Sequence, residues 1–81
     1  MPADDKFLAM RCRRILAKKE CDMALMEIAA RHGVIHLTGQ LRKPRWYRGY
    51  MDLRDELVSI EQMLRRMPEV NDVINEVRIL D

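Results

Sequence analysis

Two stretches of the chain carry apolar residues at helical spacing. From Lys6 to about Lys19 there is no Gly or Pro, and at 100° per residue Leu8, Ala9, Cys12, Ile15 and Leu16 fall on one side. This pattern predicts an amphipathic helix. Asp4 and Asp5, with Pro2 ahead of them, stand where an N-cap is wanted. Lys18 and Lys19 suit the negative pole at the other end. The second stretch is the stronger signal: Leu53, Leu57, Ile60, Leu64 and Met67 recur at spacings of 4, 3, 4 and 3. Asp52 caps this helix, Pro68 stops it, and Glu61 and Arg65 form an i,i+4 pair in the favourable order.

Between and after these helices the period changes to two. In residues 34–41, Ile35, Leu37, Gly39 and Leu41 take one face, while Val34, His36, Thr38 and Gln40 take the other. Residues 22–31 are good helix formers in isolation. The next segment decides the matter: His32 and Gly33 tolerate positive φ and make a hairpin turn, so 22–31 must be its partner strand. Residues 42–51 form a loop containing Pro44 and Gly49. A third strand over 70–80 places Val73, Asn75, Val77 and Ile79 opposite Ile74, Glu76, Arg78 and Leu80. The order αββαβ predicts an α+β fold: a two-layer sandwich with two helices on one face of a three-stranded sheet. Residues 1–81 make one domain with one core, a right-handed crossover and an open strand order.

Length agrees, since 81 residues are too few for two independent cores. The 7 methionines against 5% aromatics make that core aliphatic and thioether in character. Two cysteines are too few for a disulfide scaffold, and no apolar run reaches a membrane span of about 20 residues. The first residues hold no apolar signal segment. The expectation is therefore a cytoplasmic chain as given, or a periplasmic one if cut from a longer precursor. Net charge is +2, unevenly placed: residues 1–48 carry a local +6 and residues 49–81 a local −4. Such a dipolar domain steers an anionic partner toward its basic part, although chance asymmetry of a solvated surface accounts for it equally well.

The segment Gly33-Val-Ile-His-Leu-Thr-Gly-Gln-Leu resembles the hallmark strand of the BON domain, the bacterial osmotic-stress and nodulation module. The tail from Pro68 to Ile79 is similar to that family's closing pattern, with Val70, Val73, Asn75, Val77 and Ile79 in the patterned positions and Glu69 replacing the usual Gly. The resemblance covers roughly residues 6–80. The loop 42–51 departs from it, being longer than usual and rich in Arg, Trp and Tyr. The resemblance implies an αββαβ fold, no catalysis, and binding to membrane phospholipids or envelope partner proteins. It carries over no binding residues. Gly39 and Asn75 match as structural positions only: Gly39 faces inward where a helix approaches closely, and Asn75 bonds backbone near the sheet.

The residues offer little to an enzyme or a metal. His32 and His36, if on one face of the hairpin, stand roughly 13 Å apart. Neither they nor Cys12 and Cys21 form a C-x₂-C type of spacing. Cys12 belongs to the core side of the first helix, and Cys21 reads as a free thiol. There is no nucleophile elbow, P-loop or dinucleotide turn, and Glu56 and Glu61 lie on a solvated flank. No catalytic residue, metal or cofactor is expected.

Two basic clusters carry the binding expectation. Arg11, Arg13, Arg14, Lys18 and Lys19 lie on the first helix; Arg42, Lys43, Arg45 and Arg48 surround Trp46, Tyr47 and Tyr50. Of these, Arg11, Arg14, Lys18, Arg42, Lys43, Arg45, Trp46, Tyr47 and Arg48 are the candidate contacts with an anionic membrane surface or a partner protein. Aromatics beside Arg suit a bilayer headgroup layer or exposed bases. Equally, Trp46 and Tyr50 can fold back to cap the core. Phe7 and Met10 on the outward side of the first helix fit an interfacial helix or a frayed terminus. RNA is the less favoured ligand, because the hairpin has no stacking aromatics and the chain no G-x-x-G loop. A further alternative is a homodimer through the helix-free sheet face, where Leu25, Val34, Ile74 and Leu80 mix with Glu27, His36, Thr38, Glu76 and Arg78.

Overall fold

A computed structural model describes residues 2–80, with side chains from residue 5 onward. The elements run α1 (Pro2–Leu16), β1 (Met26–Arg31), β2 (Val34–Arg42), α2 (Leu53–Arg65), β3 (Asp72–Asn75) and β4 (Arg78–Leu80). The chain is a two-layer α+β sandwich with β2 at the centre of a mixed sheet. β1 pairs antiparallel with β2, while β3 and β4 pair parallel with its other side, as the α2 crossover requires. Ile35, Leu37 and Leu41 point from β2 into one buried cluster with Leu8, Cys12 and Leu16 of α1 and Leu53, Ile60 and Leu64 of α2. Both helices therefore cover the same sheet face. The Asp52 carboxylate caps α2 by accepting the Arg54 and Asp55 backbone N–H groups.

Three local expectations are corrected. The helix α1 begins at Pro2, ahead of the aspartates expected to cap it. The Asp4 side chain lies outside the described residues, and Asp5 accepts the His32 N–H at 3.1 Å instead. β1 starts at Met26 rather than residue 22. The Asp22 carboxylate takes the Ala24 N–H at 2.9 Å, a side-chain turn that competes with the ladder. Asp22 then rejoins the sheet through a single bridge to Arg42. The third strand is broken into β3 and β4, so the sheet has four strands. The register persists across the gap: Leu37 pairs with Asn75 and Gln40 with Arg78. At the break the Asn75 side chain accepts the Val77 N–H at 3.1 Å, which is the backbone bond expected of it.

The two glycines of β2's neighbourhood do different work. His32 and Gly33 both have positive φ, 52° and 79°, as a two-residue hairpin of the primed type demands. Gly39 has φ of 93°, and a Cβ there would lie 2.1 Å from the Leu25 carbonyl oxygen. The close approach at Gly39 is thus by the backbone of the neighbouring strand, not by a helix.

Candidate functional site

The chain from residue 43 to residue 51 leaves the sheet at the end of β2 and returns to start α2. β2 runs one residue further than expected, so Arg42 belongs to the strand. Its stem is clamped twice: Asp22 and Arg42 exchange backbone hydrogen bonds at 2.8 and 3.3 Å, and their side chains pair at 2.8 Å. Pro44 is buried, and Met51 packs against the core from the far end. Between these anchors Trp46 is 68% exposed and Tyr50 is 86% exposed. Neither folds back on the core, so the capping alternative for these two rings does not describe the molecule.

The basic residues separate into those with partners and those without. Arg42 is held by Asp22, whose carboxyl lies below the usual range because it accepts the Ala24 N–H and then because of Arg42. Lys43 donates from Nζ to the Gly49 carbonyl at 3.2 Å. Lys19 is tied to α2 through Glu56 at 2.8 Å and the Ser59 hydroxyl at 3.0 Å. Arg11 pairs with Glu69, and Arg13 reaches the Ile28 carbonyl. Of the two basic clusters, Arg14, Lys18, Arg45 and Arg48 have no ion-pair or hydrogen-bond partner among the described residues, although Arg45 also acts on the Asp22 carboxylate through space. These four are the cations available to a ligand.

Position divides them again. Lys18 lines one groove with Tyr47, Tyr50 and Met51, and Arg45 and Trp46 line a neighbouring one with Lys19, Cys21 and Pro44. Lys18 and Lys19, expected on the first helix, lie past its end at Leu16, and the turn after α1 and the loop therefore form one surface. Arg11 lies elsewhere, lining a groove of about 300 Å³ with Phe7, Leu8 and Gly33 at the hairpin turn. The whole of β2 separates that turn from the loop, roughly 30 Å at strand rise. Phe7 is 65% exposed there, apart from the loop aromatics. The loop surface is not uniformly basic: Glu20, Asp52 and Asp55 border it. Asp52 and Asp55 follow the loop directly in the chain, whereas the proximity of Glu20 depends on the turn between α1 and β1, for which sequence patterning had no signal.

Reactive chemistry is sparse here. Cys12 and Cys21 are buried and unpaired with each other. Burial raises both thiols, and Glu56 raises Cys21 further. No group of three His, Cys, Asp or Glu among the described residues is placed to hold a metal ion. Among the described residues no helix is long and apolar enough to cross a membrane. No protein-family model, curated protein or solved structure matches this chain.

Proposed function

We propose that this domain is a non-enzymatic binding module that docks on an anionic phospholipid surface through the loop between β2 and α2. The observation that carries the reading is the exposure of Trp46 and Tyr50 beside Arg45 and Arg48. A rigid amphipathic ring next to an unpartnered guanidinium matches a headgroup layer, where the ring sits among glycerol and acyl groups and the cation meets phosphate. Lys18 borders the same surface. At about 1 kcal/mol per basic residue near an anionic surface, Lys18, Arg45 and Arg48 contribute roughly 3 kcal/mol. The acids bordering the surface offset part of that, so the aromatic rings are needed to make binding measurable. The similarity of β2 and the C-terminal strands to the BON pattern supports the same reading. An envelope partner protein is the other target that similarity implies; the mix of exposed rings and free cations favours the lipid.

The test uses Trp46, the single tryptophan. Vesicles containing phosphatidylglycerol should shift its emission to the blue, and phosphatidylcholine vesicles should leave it unchanged. A spectrum indifferent to anionic vesicles but quenched by single-stranded RNA would replace the lipid reading with a nucleic-acid one.

A further inference from the structure

We infer that Tyr47 is a positioning residue, which organises the loop from within so that Trp46 is presented outward as a pre-formed contact. Tyr47 is the half-buried ring of the loop, between the exposed Trp46 and Tyr50. Its N–H donates to the Pro44 carbonyl at 3.1 Å, closing a turn on the loop's buried proline. Its hydroxyl donates to the Tyr50 carbonyl at 3.4 Å. Its ring meets the Trp46 ring edge-on, with centroids 5.9 Å apart and planes at 67°. Gly49 lies beside the ring, where an added Cβ would make ordinary contact with it at 3.4 Å. Lys43 completes the closure by donating to the Gly49 carbonyl. Residue 47 thus ties to both arms of the loop, by its backbone N–H to Pro44 and by its hydroxyl to Tyr50, while its ring meets the tryptophan beside it. Two residues assigned by sequence to ligand contact, Lys43 and Tyr47, spend their polar groups inside the loop, and the contacts with ligand fall to Trp46, Arg45 and Arg48. A loop ordered before binding loses less conformational freedom when it docks, which raises affinity without any added contact.

The consequence for affinity rests on the membrane reading; the consequence for the free protein does not. In ligand-free protein, Tyr47→Ala should lower the fluorescence anisotropy of Trp46 and weaken its near-ultraviolet circular dichroism, while Tyr47→Phe keeps both near wild type. Binding to phosphatidylglycerol vesicles should weaken roughly three- to tenfold in Tyr47→Ala and less than twofold in Tyr47→Phe. Wild-type anisotropy in Tyr47→Ala overturns the inference, even if binding falls, because Tyr47 then contacts the lipid directly. If the wild-type chain ignores the vesicles, the membrane reading falls and the anisotropy comparison alone decides the role of Tyr47.

Discussion

Arg13 and Arg65 hold matching places at opposite edges of the sheet. The Arg13 Nη2 donates to the Ile28 carbonyl at 3.4 Å, and the Arg65 Nη2 to the Val73 carbonyl at 3.1 Å. Both carbonyls face outward. The Leu25 carbonyl bonds the Gln40 N–H, so along β1 the alternating ladder turns Ile28 away from β2. The Leu37 carbonyl takes the Glu76 N–H, which by the same alternation turns Val73 away. An open edge is a template for another chain, and a charged side chain laid over it blocks pairing. The paired variant Arg13→Ala/Arg65→Ala should therefore self-associate more strongly than the parent at the same concentration. Sedimentation velocity on the two proteins decides this, and a double variant no larger than the parent would contradict it.

Arg65 also binds Glu61 at 3.0 Å and Asp72 at 2.8 Å, which gives the fold an acid dependence. The Asp72 carboxyl is held below its ordinary value of about 3.9 by the Val73 N–H and then by Arg65; the Ala24 N–H and then Arg42 do the same for Asp22. A depressed carboxylate contributes stability that is fully present above its unfolded pKa and is lost as pH falls through its folded one. The denaturant midpoint should be insensitive to these two groups from pH 7 to about 5 and fall below about pH 4. In Asp22→Asn/Asp72→Asn the midpoint should be lower at pH 7 and its fall between pH 5 and 3 shallower. An unchanged acid slope would show that the pairs do not hold in solution.

The core prediction follows from depth along α2. Ile60 and Leu64 are fully buried, and Leu57 is only half-buried although it shares their stripe. Leu64→Ala should cost roughly 2–5 kcal/mol, Leu57→Ala less, and the exposed Gln62→Ala under about 1. A domain with total stability on the order of 5 kcal/mol would be nearly unfolded by the first change. Equal urea midpoints for Leu64→Ala and Gln62→Ala would refute the placement of α2.

Gly39→Ala tests the backbone rather than the core. The added methyl must occupy a left-handed φ of 93° and a space 2.1 Å from the Leu25 carbonyl oxygen. The strain alone costs about 1–3 kcal/mol, and the contact with backbone adds to it. Gly49→Ala meets only the Tyr47 ring at 3.4 Å and should be tolerated. Similar thermal midpoints for the two variants would be incompatible with the close approach at Gly39.

Much of this architecture is written in local spacing. The α2 stripe from Leu53 to Leu64, its Asp52 cap and the alternation of β2 depend on residues a few positions apart and are found where the pattern places them, while the helix ends at Arg65, before the expected Met67 and Pro68. Three of the failures share one cause. Asp5, Asp22 and Asn75 are short polar side chains that bond backbone, and nothing in a linear pattern says which backbone group each will take. Asp5 bonds the hairpin turn instead of capping α1, Asp22 shortens β1, and Asn75 marks the gap between β3 and β4. The candidate surface shows the same limit. Arg11 and Arg48 are equivalent as charges in the sequence, yet Arg11 is spent on Glu69 at the hairpin turn and Arg48 is free. Only the path of β2 separates them.

That separation yields the sharpest test of the loop. At physiological ionic strength charges are screened beyond about 8 Å, so a cation already paired with Glu69, beside the hairpin turn at the other end of β2 from the loop, contributes little. Arg11→Gln and Arg48→Gln change the net charge equally. Removing a cation at the surface costs about 1 kcal/mol, close to fivefold in affinity. Arg48→Gln should therefore weaken binding to phosphatidylglycerol vesicles about fivefold, with Arg11→Gln within twofold of wild type. Reversing two charges, Arg45→Glu/Arg48→Glu, replaces attraction with repulsion at both sites. By the same count it costs about 4 kcal/mol, which abolishes binding at ordinary lipid concentrations. Both residues are exposed in a loop, so the denaturant midpoint should not move. Vesicle cosedimentation measures all four proteins side by side. Equal losses for Arg11→Gln and Arg48→Gln would mean that lipid answers only to net charge, and the loop would then have no claim to be the docking surface.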